Sequence, residues 1–331
     1  MMSQKTERKA ELDYAKGLGI LFMLMGHIQF SEILNQYVYS FHMPLFFAIS
    51  GYLYRDNTDG FVSIIKKHAL NLMIPFFSFG VIFTGLFIAL GHEMCISNIL
   101  ACFISPNHMP FDWCGSIWFL MAIFWVKIVF NIFNKYCNPI GFTALSVSII
   151  IVGIVVALCK VELILCIDSA MIGFLFYYIG YCYKKHESKI NLLCSRTPNW
   201  LVLVSLALLS LLGMLNTPIN MRENVYGNFP LFVISALAGT LFWIYLLKIS
   251  KSHIPERLLR ILKFFNNYSI SYMGFNQFII AIFNVTVLAR VNNAMISVIA
   301  KLVELLAVGI SIAAMSLVID KSRLRFFIGK R

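Results

Sequence analysis

Two histidines and a lysine stand where hydrocarbon is expected. In DYAKGLGILFMLMGHIQF (residues 13–30), Lys16 and His27 interrupt an otherwise apolar run, and His42 lies at the start of a second, FHMPLFFAISGYLYRD (41–56). Imidazole is the side chain that exchanges protons near neutral pH. An ionisable group inside a membrane segment marks a site or a pathway more readily than one in a soluble core. Lys16 and His27 are eleven residues apart, three helical turns plus about 20°, so both project from one face, separated by a rise of about 16 Å. With Lys16 at one membrane surface, His27 reaches the middle of a hydrocarbon core about 30 Å thick. Counted from Arg55, thirteen residues on, His42 lies about 20 Å from the same surface. The connection between the two runs is short, so they are expected to be antiparallel neighbours with a paired histidine site at mid-depth. Asp13, one turn before Lys16, is placed to pair with it. Pro44, two residues after His42, removes a helical donor and helps to shape a cavity there.

The elements that must carry these residues are membrane helices. The 331 residues are 60% hydrophobic and 13% charged, about half the charge of a soluble protein. Apolar runs of span length recur at 12–31, 38–54, 72–91, 116–134, 141–159, 163–182, 199–216, 230–248, 264–286 and 296–319. The expectation is therefore an all-α polytopic membrane helix bundle of about ten transmembrane helices, a single domain over residues 1–331, with both termini cytoplasmic. The first run lacks a signal-peptide cleavage site and reads as a retained span. No soluble block large enough for an appended domain is expected. Placing both ends inside puts 23 of the 27 lysines and arginines there, leaving only Lys160, Arg222, Arg290 and Lys301 outside. The net charge of +12 thus reports topology and contact with membrane lipids, not nucleic acid. The eight cysteines form no metal-ligand spacing, and no metal site is expected. Cys95, Cys102 and Cys114 share an outer loop where a disulfide is conceivable, with no pairing selected. Nucleotide-loop, HExxH and GxSxG motifs are absent from the sequence.

Five blocks carry a family resemblance. DYAKGLGILFMLMGH resembles the first-helix signature of the acyltransferase 3 family of integral membrane O-acyltransferases: an Asp, a basic residue followed by Gly, then ten residues and a His. FHMPLFFAISGYLY resembles its second-helix block, and SIWFLMAIF (116–124) its WFL segment. DSAMIGFLFYYIG (168–180) and MRENVYGNFPLF (221–232) are similar to later blocks in the branch that includes fucose O-acetyltransferases. The resemblance implies transfer of an acyl group, usually acetyl, from cytoplasmic acyl-CoA to a sugar hydroxyl of a surface polysaccharide such as O-antigen, or its lipid-linked precursor, in a bacterial inner membrane. No permanently bound cofactor is implied. Two positions depart from the pattern. Asn71 stands where many members carry Arg, with Lys66, Lys67 and His68 nearby to supply charge. Asn276 stands where relatives often show His, which leaves the ninth span without an assigned role.

On this footing His27 is the expected general base for the acceptor hydroxyl, with His42 orienting it, donating to the oxyanion or acting as the base itself. Lys16, flanked by Asp13, is expected to hold the CoA phosphates together with Lys66 and Lys67, the pantetheine arm running up the shared face of the first helix. Asp168 is the candidate carboxylate partner of a histidine or a sugar hydroxyl. Trp118, with Ser50 and Tyr178, is a candidate channel residue, and Glu223, Tyr226 and Asn228 are candidate sugar contacts. The competing class is a secondary transporter or flippase with a histidine proton site. The second half of the chain shows no copy of the KGLGILFMLMGH pattern, which weighs against the paired halves of such proteins.

Overall fold

The computed structural model describes residues 9–56, 60–105, 112–286 and 294–330. Lys5, Arg8, Arg290 and Arg331, used above for orientation, lie outside them, as does the side chain of Cys114. Regular structure among the described residues is helical, apart from one isolated bridge between Asn220 and Val225. The order is α1 (Ala10–Ile28), α2 (Glu32–Tyr52), α3 (Phe61–His68), α4 (Ile74–Ala89), α5 (Ile96–Ile104), α6 (Trp118–Tyr136) and α7 (Pro139–Leu158). It continues with α8 (Ile167–Cys194), α9 (Asn199–Leu211), α10 (Phe229–Ser250), α11 (Glu256–Asn267), α12 (Ser269–Thr286) and α13 (Ala294–Lys321). Nine of the ten apolar runs each fall on one principal helix, and the run at 264–286 falls on two. Six helical stretches, 61–89, 115–136, 139–158, 164–192, 229–250 and 298–321, are long and apolar enough to cross a membrane. Helices α1 and α2, with 19 and 21 residues, have the length and carry the polar residues of interest. The chain is an all-α polytopic membrane bundle.

Local chemistry sets the helix ends. Gln29 closes α1 in the left-handed conformation, and Ser31 caps α2 by accepting from the Leu34 amide at 3.2 Å. Asn138 and Asn228 likewise cap α7 and α10, each followed by a proline in the first helical turn. A π turn, Ala69–Met73, joins α3 to α4, so the two run on as one distorted helix.

The run expected as one span over 264–286 is two helices broken at Tyr268. ERLLRILKFFNN buries Leu259 and Leu262 while Arg257, Arg260 and Lys263 stay exposed, the pattern of an interfacial helix lying along the surface. It packs closely on α1, where a Cβ at Gly17 would collide with the Leu262 carbonyl.

The tightest helix pair is α2 with α8. A Cβ at Gly51 would strike the Tyr177 carbonyl, and one at Gly180 the Ala48 carbonyl. Without a hydrophobic drive between helices in lipid, such close backbone approach supplies the packing. Replacing Gly180→Leu is therefore expected to cost more than the ~1–3 kcal/mol of ordinary overpacking and to lower Tm in detergent. Gly85→Ala, where a Cβ meets nothing within 4 Å, should leave Tm unchanged or slightly raised; equal effects of the two would contradict this packing.

Candidate functional site

His27 and His42 come together as their depths require. Both line one cavity of about 80 Å³ whose wall also includes Tyr39, Trp118, Arg222 and Gln277. His27 is half-buried and faces this space, whereas His42 is 4% exposed, with Tyr39 edge-on to its ring at 5.2 Å.

Hydrogen bonding selects the tautomer of each ring. The amide nitrogen of Asn276 donates to the carbonyls of Tyr272 (2.7 Å) and Met273 (2.8 Å), with Ser116 Oγ at 3.2 Å. Carbonyls only accept, so this end of the side chain must be the NH2 group and the other, Oδ1, must be the atom 2.6 Å from His27 Nδ1. His27 therefore donates from Nδ1, and in the neutral ring its Nε2 keeps a lone pair. His42 is assigned in the same way, because its Nδ1 lies 2.8 Å from the Val38 carbonyl. Both imidazoles are held with Nε2 as an acceptor, the state a general base needs. Asn276 is thus a central contact of the site, the part the family resemblance left unassigned to α12.

Arg222 is the second residue that sequence reasoning missed; it was counted only as an outer cation. Asn220 and Val225 bridge the ends of its turn, and Asn220 Oδ1 accepts from the Arg222 amide at 3.1 Å. Ser169 Oγ donates to the Met221 carbonyl at 2.8 Å, tying this turn to α8. Asn216 fastens the loop before α10 through four bonds to residues 217, 226 and 228. Gly227 (φ +58°) is required there, since a Cβ would run into Thr217 and Asn216. So anchored, the loop lays the guanidinium against Gly115, where a Cβ would collide with it and approach Gln277 Oε1 to 2.7 Å. The arginine charge acts on His27. The signal was present in MRENVYGNFPLF, but a cation in an outer loop reads as a topology marker.

A second group of charges lies toward the end of α1 that carries Lys16. Half-buried Lys127 of α6 has Lys16 of α1 and Lys67 of α3 as its electrostatic neighbours, and His68 faces Lys127 and Lys67. Lys16 and Lys67 thus each add positive charge beside Lys127, a setting in which an anion is attracted. Lys66 and Lys67 are exposed on α3. Asp13 is buried and accepts from Asn266 at 3.0 Å, which couples α1 to the interfacial α11.

The remaining candidates lie elsewhere. Asp168 is outside the cavity wall; its carboxylate accepts from the amides of Leu163 (3.2 Å) and Ser169 (2.7 Å) and so organises the start of α8. Tyr226 is buried, its hydroxyl without a hydrogen-bond partner, and burial, then the Asp168 charge, holds the phenol protonated well above the usual range. Asn228 caps α10, accepting from Leu231 at 3.1 Å, and Glu223 is exposed in the loop before α10, near Tyr39. Tyr178 packs on Phe142, and neither it nor Ser50 lines the cavity. Cys95 and Cys102 are free thiols, so no disulfide joins them. Among the described residues no cluster of three or more metal-ligating side chains occurs.

A family model described as an acyltransferase domain matches residues 9–320, nearly the whole chain. The nodulation protein NolL of Sinorhizobium fredii (strain NBRC 101917 / NGR234) is 28% identical over 161 residues, covering 44% of this chain and 42% of that protein. The match thus spans less than half the relative's length. No solved structure matches the chain.

Asn276→Leu is expected to strand the His27 Nδ1–H and the Ser116 hydroxyl, at a cost of roughly 1–3 kcal/mol for a buried donor left unsatisfied, read as a lower Tm. An unchanged Tm would show that the bond to His27 does not hold α12 in place.

Proposed function

Because the chain belongs to the acyltransferase 3 family and is a membrane acyltransferase, we propose that it moves an acetyl group from cytoplasmic acetyl-CoA to a sugar hydroxyl of a surface glycan or its lipid-linked precursor. The bacterial inner membrane is its proposed location, with both termini cytoplasmic as the basic residues favour.

The observation that carries this reading is the pair of imidazoles with Nε2 free to accept, gathered with Arg222 around one cavity. A sugar hydroxyl is a poor nucleophile until its proton is taken. His27 Nε2 receives that proton as the hydroxyl oxygen attacks the thioester carbonyl carbon. The tetrahedral oxyanion forms within reach of Arg222, a preorganised cation of the kind that stabilises such charge. Collapse breaks the C–S bond, and the imidazolium returns the proton to the departing CoA thiolate. Exposure favours His27 over His42 as the base, since only His27 is half-open to the cavity. His42 then supports the reaction from behind.

Lys16, Lys67 and Lys127 are the proposed receptor for the CoA phosphates, with Lys66 at its rim and Asp13 holding the start of α1 to α11. The rise of about 16 Å between Lys16 and His27 suits a donor whose phosphates stay at the surface while its thioester reaches mid-membrane. Trp118 walls the reacting space. Glu223, at the outer rim, is the proposed sugar contact, whereas Asp168, Tyr226 and Asn228 serve it indirectly by shaping the loop.

His27→Ala should reduce acetyl-CoA-dependent O-acetylation of a defined glycan by the purified protein at least 10²-fold, the scale of a lost general base. Near-normal transfer would remove His27 from the mechanism. Lys127→Ala should raise KM for acetyl-CoA several-fold with a smaller change in kcat, as expected for an interaction shared by ground and transition states. An unaltered KM would displace the donor site from this cluster.

A further inference from the structure

A second cavity, of about 280 Å³, lies apart from the histidines and shares no wall residue with them. It is more than tenfold the roughly 10–15 Å³ that one water requires. One wall is a stripe of α10: Leu237, Thr240, Leu241, Ile244, Tyr245 and Lys248. These recur at i, i+3, i+4, i+7, i+8 and i+11, a single helical face rising about 16 Å. Ala48 and Ile49 of α2 and Ile179 and Gly180 of α8 form the facing wall, with Val202 and Leu206 of α9 closing one side.

Polarity is graded along this slot. The Leu237 end is apolar, whereas Lys9, Glu11, Glu187 and Lys248 gather at the other. Lys9 is paired with Glu187 and also stands over the Tyr52 ring at 5.3 Å. Lys248 also acts on Glu187, so with Glu11 the mouth carries two cations and two anions and is neutral overall. The length of the slot matches the hydrocarbon of one leaflet, half of a core about 30 Å thick. A groove apolar for one leaflet's depth, ending in a balanced set of charges of both signs, is complementary to one chain and the zwitterionic head of a phospholipid.

We infer that this slot binds one inner-leaflet phospholipid, its acyl chain between α2, α8 and α10, its phosphate at Lys248 and its headgroup ammonium at Glu11. The inference is independent of the acyl-transfer chemistry and rests on the membrane bundle alone. A lipid held here fills the gap between α10 and the glycine-packed α2–α8 pair, which the protein leaves without side chains of its own.

Thr240 offers the cleanest test. It is 4% exposed and its hydroxyl has no hydrogen-bond partner, so its replacement sacrifices no bond. Native mass spectrometry of the full chain, delipidated in detergent and titrated with phosphatidylethanolamine, phosphatidylglycerol or a polyprenyl phosphate, reads the occupant directly. The wild type should retain one phosphatidylethanolamine in preference to the other two. Thr240→Phe should lose at least tenfold of that occupancy while keeping its helical circular dichroism. Lys248→Glu, at an exposed position that does not depend on refilling the wall, should weaken retention several-fold. No retained lipid in the wild type, equal retention by Lys248→Glu, or a preference for phosphatidylglycerol or polyprenyl phosphate would overturn the assignment.

Discussion

The contact on which the site depends is the 2.6 Å hydrogen bond between His27 Nδ1 and Asn276 Oδ1. It joins α1 to α12, and through Ser116 Oγ it also engages the turn that leads into α6. The amide of Asn276 cannot turn over without placing its NH2 group against His27 and its oxygen against two carbonyls. That constraint passes to the imidazole, which is left with a single arrangement of donor and acceptor. In the Ser-His-Asp triad a carboxylate fills this role; here a neutral amide orients the ring without adding a charge to the membrane interior. The break at Tyr268 belongs to the same constraint. It lets α11 lie along the surface while α12 starts afresh in the register that points Asn276 at α1.

Charge is distributed to match. Lys16, Lys67 and Lys127 gather toward one end of α1, and Arg222 lines the cavity shared by His27 and His42. Repulsion between like charges is strongest where solvent is scarce, and half-buried Lys127 feels it from Lys16 and Lys67. Arg222 needs a different support. It sits on a loop whose position is fixed by Asn216, Asn220 and the start of α8, and loops placed by a rigid scaffold are where reactive groups are commonly carried.

The bundle, and the meeting of His27 with His42, were legible in the sequence because both follow from helical period and from membrane thickness. Lys16 and His27 share a face by arithmetic alone, and Arg55 gave His42 its depth. Asn276 was visible as an oddity in the ninth run, yet its partner lies 249 residues away, and no local pattern encodes that pairing. Arg222 and Lys127 stand out in the sequence only as topological charges, because a basic residue near a helix end carries a strong topological signal that masks any local role. Asp168, expected as the partner of a histidine or a sugar hydroxyl, also accepts from the backbone amides of its own turn, contacts that no sequence pattern announces. The split of the run at 264–286 was hidden because FF at 264–265 reads as apolar until the amphipathic stripe of 256–267 is followed as one helix.

The central claim is that Asn276 fixes His27 as a neutral imidazole with Nε2 able to accept a proton. Nitrogen-15 spectra of histidine-labelled protein in lipid, assigned by comparison with His27→Gln, test it directly. The account predicts a protonated Nδ1 and an unprotonated Nε2 for His27 at neutral pH, with the signal losing that preference in Asn276→Leu. A His27 protonated at Nε2 alone, or unaffected by loss of Asn276, would contradict it.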